Sequence, residues 1–201
     1  MEDKMIRVAI THGDTNGIGY EVILKTFATP TILELCTPIV YGSPKLAAYH
    51  RKALNLETSF NIIERAEDAC DGKLNILACF DDEVKVELGQ PSEEAGKAAL
   101  MALDRAMTDY RSGLYDVLVT APINKATIQG EGFHFPGHTE YIETCVGEGN
   151  KALMILMNED LRVALVTTHL PIRNVAEAIT QEAIVEKASI FNLSLKRDFR
   201  I

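Results

Sequence analysis

The stretch SEEAGKAALMALDRAMTDYRSGLYDVLVT, Ser92 to Thr120, decides the fold class of the chain. Ala95, Ala98, Ala99, Ala102, Leu103, Ala106 and Tyr110 recur at three- and four-residue spacing, which puts them on one face of a helix. Ser92 is placed as the cap, and Glu93 and Glu94 bring negative charge to the first turn, where the helix dipole favours it. Gly113 stops the helix, and Asp116 to Thr120 follows as a short apolar run of the kind buried on both faces of a sheet.

The same alternation extends outward. Apolar runs rich in β-branched residues lie at Ile6 to Thr11, Pro38 to Tyr41, Asn61 to Ile63, Leu74 to Cys79, Leu153 to Met157 and Leu161 to Thr167. Each is short and bounded by Gly, Asp, Asn or Pro, so each reads as a strand buried on both faces. Strand and helix alternating along the chain predict an α/β fold with layered helices and a mostly parallel sheet. From Thr180 to about Phe199, Ile184, Val185, Ala188, Phe191, Leu195 and Phe199 form an apolar stripe that needs a surface to lie on. No strand follows that helix, so the expectation is an architecture incomplete at its C-terminal end. There is no internal repeat, low-complexity tract or Pro/Gly-rich linker.

With 201 residues, 47% hydrophobic and 24% charged, the chain has the length and balance of a water-soluble globular protein. No apolar run approaches the ~20 residues that span a bilayer, and Met1 to Met5 leads into a strand-like run instead of a signal sequence. A cytoplasmic location is the resulting expectation. A net charge of -9 with no basic stripe argues against nucleic-acid or anionic-membrane partners, so any bound anion needs a local site. Cys36, Cys70, Cys79 and Cys145 share no C-x-x-C spacing and read as reduced, mostly buried small hydrophobes.

Four blocks carry groups capable of chemistry, each placed where a strand gives way to a helix or in the turn that opens one. Thr11-His-Gly-Asp-Thr-Asn-Gly-Ile-Gly19 puts three glycines between the first strand and a helix from about Tyr20 to Phe27. That is either a tight structural turn or a cradle of backbone amides for an anion, and it matches neither G-x-G-x-x-G nor the P-loop. Thr120-Ala-Pro-Ile-Asn-Lys125 follows a strand, where Lys125 is placed to meet a phosphate or carboxylate or else to stand in solvent. Phe135-Pro-Gly-His-Thr-Glu140 opens a helix ending near Gly147, with His138 and Thr139 as donors to an anion or as ordinary surface groups. In Val166-Thr-Thr-His-Leu-Pro171, His169 is a candidate metal ligand, but a metal needs about three or four protein groups and no spaced partner is present.

Together and in this order the four blocks resemble the 4-hydroxythreonine-4-phosphate dehydrogenase family of pyridoxine biosynthesis. The most specific segments are PGHTE at Pro136 to Glu140 and RVALVTTHLP at Arg162 to Pro171, and the likeness runs through residues 1 to 201. It implies the N-terminal portion of a two-lobed α/β/α fold like that of the isocitrate and isopropylmalate dehydrogenases, paired as a homodimer. It also implies that His138 and Thr139 touch substrate, that His169 binds a divalent metal such as Zn, Mg or Co, and that Lys125 and the glycine-rich loop line the same cleft. Two further metal-binding histidines of the family, in N-P-H-A-G and Y-H-D-Q-G contexts, have no counterpart here, and Asn124 stands where many relatives carry histidine.

The implied reaction is oxidation of the secondary hydroxyl of 4-hydroxythreonine 4-phosphate, a small phosphorylated hydroxy amino acid. Hydride passes to NAD or NADP, and the resulting β-keto acid loses CO₂. Alternatives are a paralogue acting on threonate or erythronate phosphate, or an inactive phosphate-binding module. With one candidate metal ligand, residues 1 to 201 alone are expected to be inactive as a dehydrogenase.

Overall fold

The computed structural model describes residues 5–80, 84–130 and 132–201, so the expectation for Met1 to Lys4 lies outside the described residues. The chain forms two compact units, Met1–Glu148 and Gly149–Ile201.

In the first unit the order is β1 (Ile6–Thr11), α1 (Gly19–Thr26), β2 (Cys36–Gly42), α2 (Pro44–Ala53), β3 (Asn61–Ile63), β4 (Asn75–Ala78), α3 (Glu93–Arg111), β5 (Val117–Thr120) and α4 (His138–Val146). The five strands make one sheet in the order β3-β4-β2-β1-β5, and every pair is parallel. Residue spacing sets the local structure here. Ser92 caps α3 through its side chain and the Ala95 N–H at 3.1 Å, and Gly113 takes a left-handed φ of 68° just after the helix. The helix α2 was not singled out in the sequence, although Ser43 accepts from Leu46 N–H at 3.2 Å and Pro44 occupies its first turn.

The sheet is covered on both faces. Ile10, Val40 and Ile76 pack with Tyr20, Ile23 and Leu24 of α1, with Phe27 just after it, and with Leu46 and Ala47 of α2. On the other face Ala9, Ile39, Tyr41 and Leu77 meet Ala99, Ala102, Leu103, Ala106 and Met107 of α3 and Tyr141 of α4. The alanine stripe lets α3 lie close to the sheet, and this layering is the predicted α/β/α arrangement. A buried carboxylate is satisfied within it: Asp109 accepts from Tyr41 Oη at 2.9 Å and from Arg105 Nε at 3.1 Å.

The expectation that every strand is buried on both faces does not hold. β5 is an edge strand, and Val117 and Val119 are each 47% exposed on the α1 side, which α1 and α2 do not cover at this edge. The second unit departs further. Its β6 (Ile155–Met157) and β7 (Arg162–Ala164) pair antiparallel as a hairpin, followed by α5 (Ile172–Ala178) and α6 (Gln181–Arg197). The connection 158–161 is far shorter than a parallel crossover requires. Asn158 closes it, its Oδ1 accepting from Asp160 and Leu161 N–H at 3.0 and 2.7 Å.

Thr180 caps α6, accepting from Ala183 N–H at 3.1 Å, and the helix lies where the apolar stripe predicts it, but the stripe is only partly covered. Ile184 and Val185 are exposed, while Phe199 lies beneath the Arg162 guanidinium at 4.9 Å. The cysteines are all free; Cys36, Cys79 and Cys145 are half-buried and Cys70 is exposed, so burial is less complete than expected. Burial pushes the Cys79 thiol up to about 12 and raises that of Cys36, which suits inert thiols. Among the described residues, no helix is long and apolar enough to cross a membrane.

Candidate functional site

β1 has β2 on one side and β5 on the other; α1, which leads from β1 to β2, and α3, which leads from β4 to β5, lie on opposite faces of the sheet. That makes the space beyond the carboxyl ends of β1 and β5 a topological switch point, where parallel α/β sheets open a crevice. A groove of about 470 Å³ lies there, lined by Asp14, Gly17 and Ile18 from the loop after β1 and by Pro122, Ile123, Asn124 and Lys125 from the loop after β5. Two blocks separated by about a hundred residues in sequence therefore form the two walls of one groove.

The glycine-rich wall is fixed at each residue. Gly13 has φ of +75° and passes so close to the other wall that a Cβ there would stand 2.3 Å from the Pro122 oxygen. Asp14 N–H donates to that Pro122 carbonyl at 2.9 Å, and Asp14 Oδ1 accepts from Asn16 N–H at 2.9 Å. Asn16 is buried and clamps the segment before α3. Its Nδ2 donates to Gln90 O at 2.9 Å, its Oδ1 accepts from Glu87 N–H at 2.9 Å, and its carbonyl accepts from Gly89 N–H at 2.8 Å.

Beneath the loop three rings stack. Tyr20 lies between His12, at 5.1 Å and 10° between planes, and His50, at 5.1 Å and 28°. Phe80 meets His12 at a tilt, with ring centroids 5.5 Å apart. His50 Nε2 donates to the Thr15 carbonyl at 2.9 Å, an acceptor that fixes the protonated nitrogen. His12 is fully buried, and among the described residues neither ring nitrogen has a hydrogen-bond partner. Its pKa is pushed down to about 4, chiefly by burial and further by His50, while the Ala98 backbone opposes the shift without reaching hydrogen-bonding geometry.

The remaining candidate residues fall as follows. Lys125 is exposed on the groove wall, and Asn124 is taken up by its own turn, Oδ1 accepting from Ala126 and Thr127 N–H at 3.0 and 3.4 Å. His138 begins α4, with Thr139 exposed beside it. Burial lowers the His138 pKa and the Lys125 charge lowers it further, so the third block stands within the field of the second. His169 belongs to the other unit, exposed after β7, and holds a left-handed φ of +56° that is uncommon for a non-glycine residue. Among the described residues no three His, Cys, Asp or Glu side chains cluster to hold a metal, so these residues do not make a divalent-ion site by themselves. Asn16, Tyr20 and His50 were missed in the sequence because their partners are distant along the chain; the ring spacing of His12, Tyr20 and His50 carries no local signature.

Residues 34–201 match the family model of the pyridoxal phosphate biosynthetic protein PdxA. A 4-hydroxythreonine-4-phosphate dehydrogenase of Bacteroides thetaiotaomicron is 63% identical over 201 residues, all of this chain and 55% of the relative. The enzyme of that name from Sulfurihydrogenibium is 34% identical over 98% of this chain and 60% of its own length. Among solved structures, a 4-hydroxythreonine-4-phosphate dehydrogenase from Burkholderia phymatum superposes with a TM-score of 0.83 at 30% identity, over 96% of this chain and 59% of that one. One from Klebsiella pneumoniae gives 0.84 at 25% identity, over 98% of this chain and 60% of that one. The chain thus spans little more than half the length of these relatives. In sequence and in fold, it belongs to the PdxA family of pyridoxal phosphate biosynthetic proteins.

Proposed function

We propose that these residues contribute the glycine-rich loop, Lys125, His138, Thr139 and His169 to a dehydrogenase of pyridoxal phosphate biosynthesis that oxidises 4-hydroxythreonine 4-phosphate. The observation that carries the reading is the groove at the switch point, where a glycine-rich wall faces a lysine wall. Its chemistry suits a phosphorylated substrate: Lys125 supplies a point charge for the phosphate, and the start of α4 at His138 and Thr139 adds neutral donors beside it. A His138 held largely neutral by burial and by Lys125 can donate from one nitrogen and accept at the other, which suits a ligand bearing both phosphate and hydroxyl.

NAD or NADP would supply the hydride acceptor when bound, and we place the protein in a homodimer. His169 is offered as one ligand of a divalent ion. One donor does not hold such an ion, so the chemistry assigned to the described residues is binding and orientation, and residues 1 to 201 alone are proposed to lack turnover.

The test is reduced-nicotinamide formation by a protein of the relatives' full length, offered 4-hydroxythreonine 4-phosphate, threonate 4-phosphate and erythronate 4-phosphate with NAD or NADP. Turnover of the first alone supports the reading. Preference for a sugar-acid phosphate assigns the paralogous activity, and no turnover of any of them sinks both.

A further inference from the structure

The groove wall formed by Asp14 and Gly17 lies outside helix and strand; a turn bond from Gly17 N–H to the Asp14 carbonyl at 3.0 Å, the Gly89 N–H on the Asn16 carbonyl, side chains and the other wall hold it. One of those side chains comes from outside both walls. His50 sits on the last turn of α2, 2% exposed, and its hydrogen bond among the described residues reaches 35 residues back to the Thr15 carbonyl. We infer that His50 is a positioning residue for this groove, setting the height of the glycine-rich wall through the Thr15 carbonyl and the ring stack on Tyr20. The inference rests on the groove being the ligand site proposed above.

The geometry makes the coupling short. Thr15 follows Asp14, whose N–H is bonded to Pro122 O, so a displacement at Thr15 passes directly to the wall that carries Lys125. Orientation of the imidazole is also defined. Tyr20 stacks on one side, Tyr49 meets it edge-on at 5.7 Å, and Tyr20 Oη is itself held by Ser43 N–H at 2.8 Å. Burial lowers the His50 pKa, with the Thr15 carbonyl and the Glu21 charge opposing, so the ring favours its neutral form with the proton on Nε2. Removing that donor leaves a carbonyl in a buried setting without its partner, which costs more than the bond itself contributes.

His50→Phe retains an aromatic ring against Tyr20 and deletes the donor; His50→Gln loses the ring and restores a terminal N–H that reaches Thr15. Amide hydrogen exchange on the 201-residue chain is the first measurement. The expected result for His50→Phe is exchange faster by about tenfold or more at Asp14 to Gly17, with the amides of β2 and α3 unchanged, and substantial recovery in His50→Gln. Uniform acceleration through the unit, no change at Asp14 to Gly17, or failure of the glutamine to recover protection would overturn the assignment. Should His50→Phe not fold, His50→Asn, whose donor falls one bond short, takes its place with the same expectations.

The second measurement uses the protein of the relatives' full length. A displaced wall raises KM more than it lowers kcat, whereas loss of folded protein lowers apparent kcat at constant KM. A constant KM in His50→Phe therefore counts against positioning. Absence of turnover in the unsubstituted protein defeats the dehydrogenase reading alone, because the exchange result stands without it.

Discussion

The backbone N–H of Asp14 donates to the Pro122 carbonyl across the mouth of the groove, at 2.9 Å. A main-chain bond between the loop after β1 and the loop after β5 joins the two walls whatever side chains they carry. Ala121 N–H adds a second tie, donating to Thr11 O at 3.0 Å where the strands end. Lys125 and the glycine-rich turn thereby form one surface, and the position of either depends on the other.

Gly13 is the residue that permits this approach. Gly13→Ala should destabilise the chain by about 2 kcal/mol or more, since the new Cβ meets both a left-handed φ of +75° and the Pro122 oxygen at 2.3 Å. Gly72→Ala is the control: its φ is +70° but nothing lies within 4 Å of the added carbon. Urea unfolding of the two variants should separate them, with Gly72→Ala losing only about 1 kcal/mol. Equal losses would mean that the contact with Pro122 relaxes at no cost.

Asn16→Ala should lose about 2 kcal/mol, because two side-chain hydrogen bonds vanish and leave Gln90 O and Glu87 N–H unpaired in a partly buried setting. Hydrogen exchange at Glu87 should accelerate in the same variant. Unchanged protection there would show that this segment is held by something other than Asn16.

How much of this was readable beforehand depended on the range of the signal. α3 and β5 were legible because the alanine stripe, Ser92 and Gly113 all act within a few residues of one another. The hairpin of β6 and β7 was misread as part of a buried sheet because Leu153 to Met157 and Leu161 to Thr167 are apolar enough for either setting. The brevity of 158–161 was the available clue. Lys125 and the glycine-rich loop were both found as single blocks, and strand ends were the reason to look there. Their union in one groove depends on β1 pairing with β5, which no local pattern encodes. The Thr15 to His50 bond has the same long-range origin.

Lys125→Met should raise the His138 pKa, because it removes the second cause of that group's depression and leaves burial in place. Following the imidazole Cε1 proton by NMR through a pH titration gives the direct reading. A His138 midpoint that does not move would separate the second and third blocks, and His138 would then have no tie to the Lys125 wall of the groove.

His12 should make the chain sensitive to mild acid. Its folded pKa of about 4 lies below the ordinary 6.5, so between those values the unfolded chain binds a proton that the folded chain excludes. Stability from this group is intact above 6.5 and is lost as pH falls towards 4, by on the order of 3 kcal/mol. His50, also depressed by burial, adds a slope of the same sign. His12→Phe should keep the stack on Tyr20, remove two buried nitrogens that have no partners, and so cost little or even stabilise at neutral pH. Denaturation midpoints of both proteins measured from pH 7 down to pH 4 should diverge in favour of His12→Phe as the medium becomes more acid. Carboxylates titrate alike in the two proteins and cancel in the difference, which isolates the imidazole. Parallel curves would mean that His12 takes up its proton as readily folded as unfolded, and the fully buried setting described for it beneath the glycine-rich loop would be wrong.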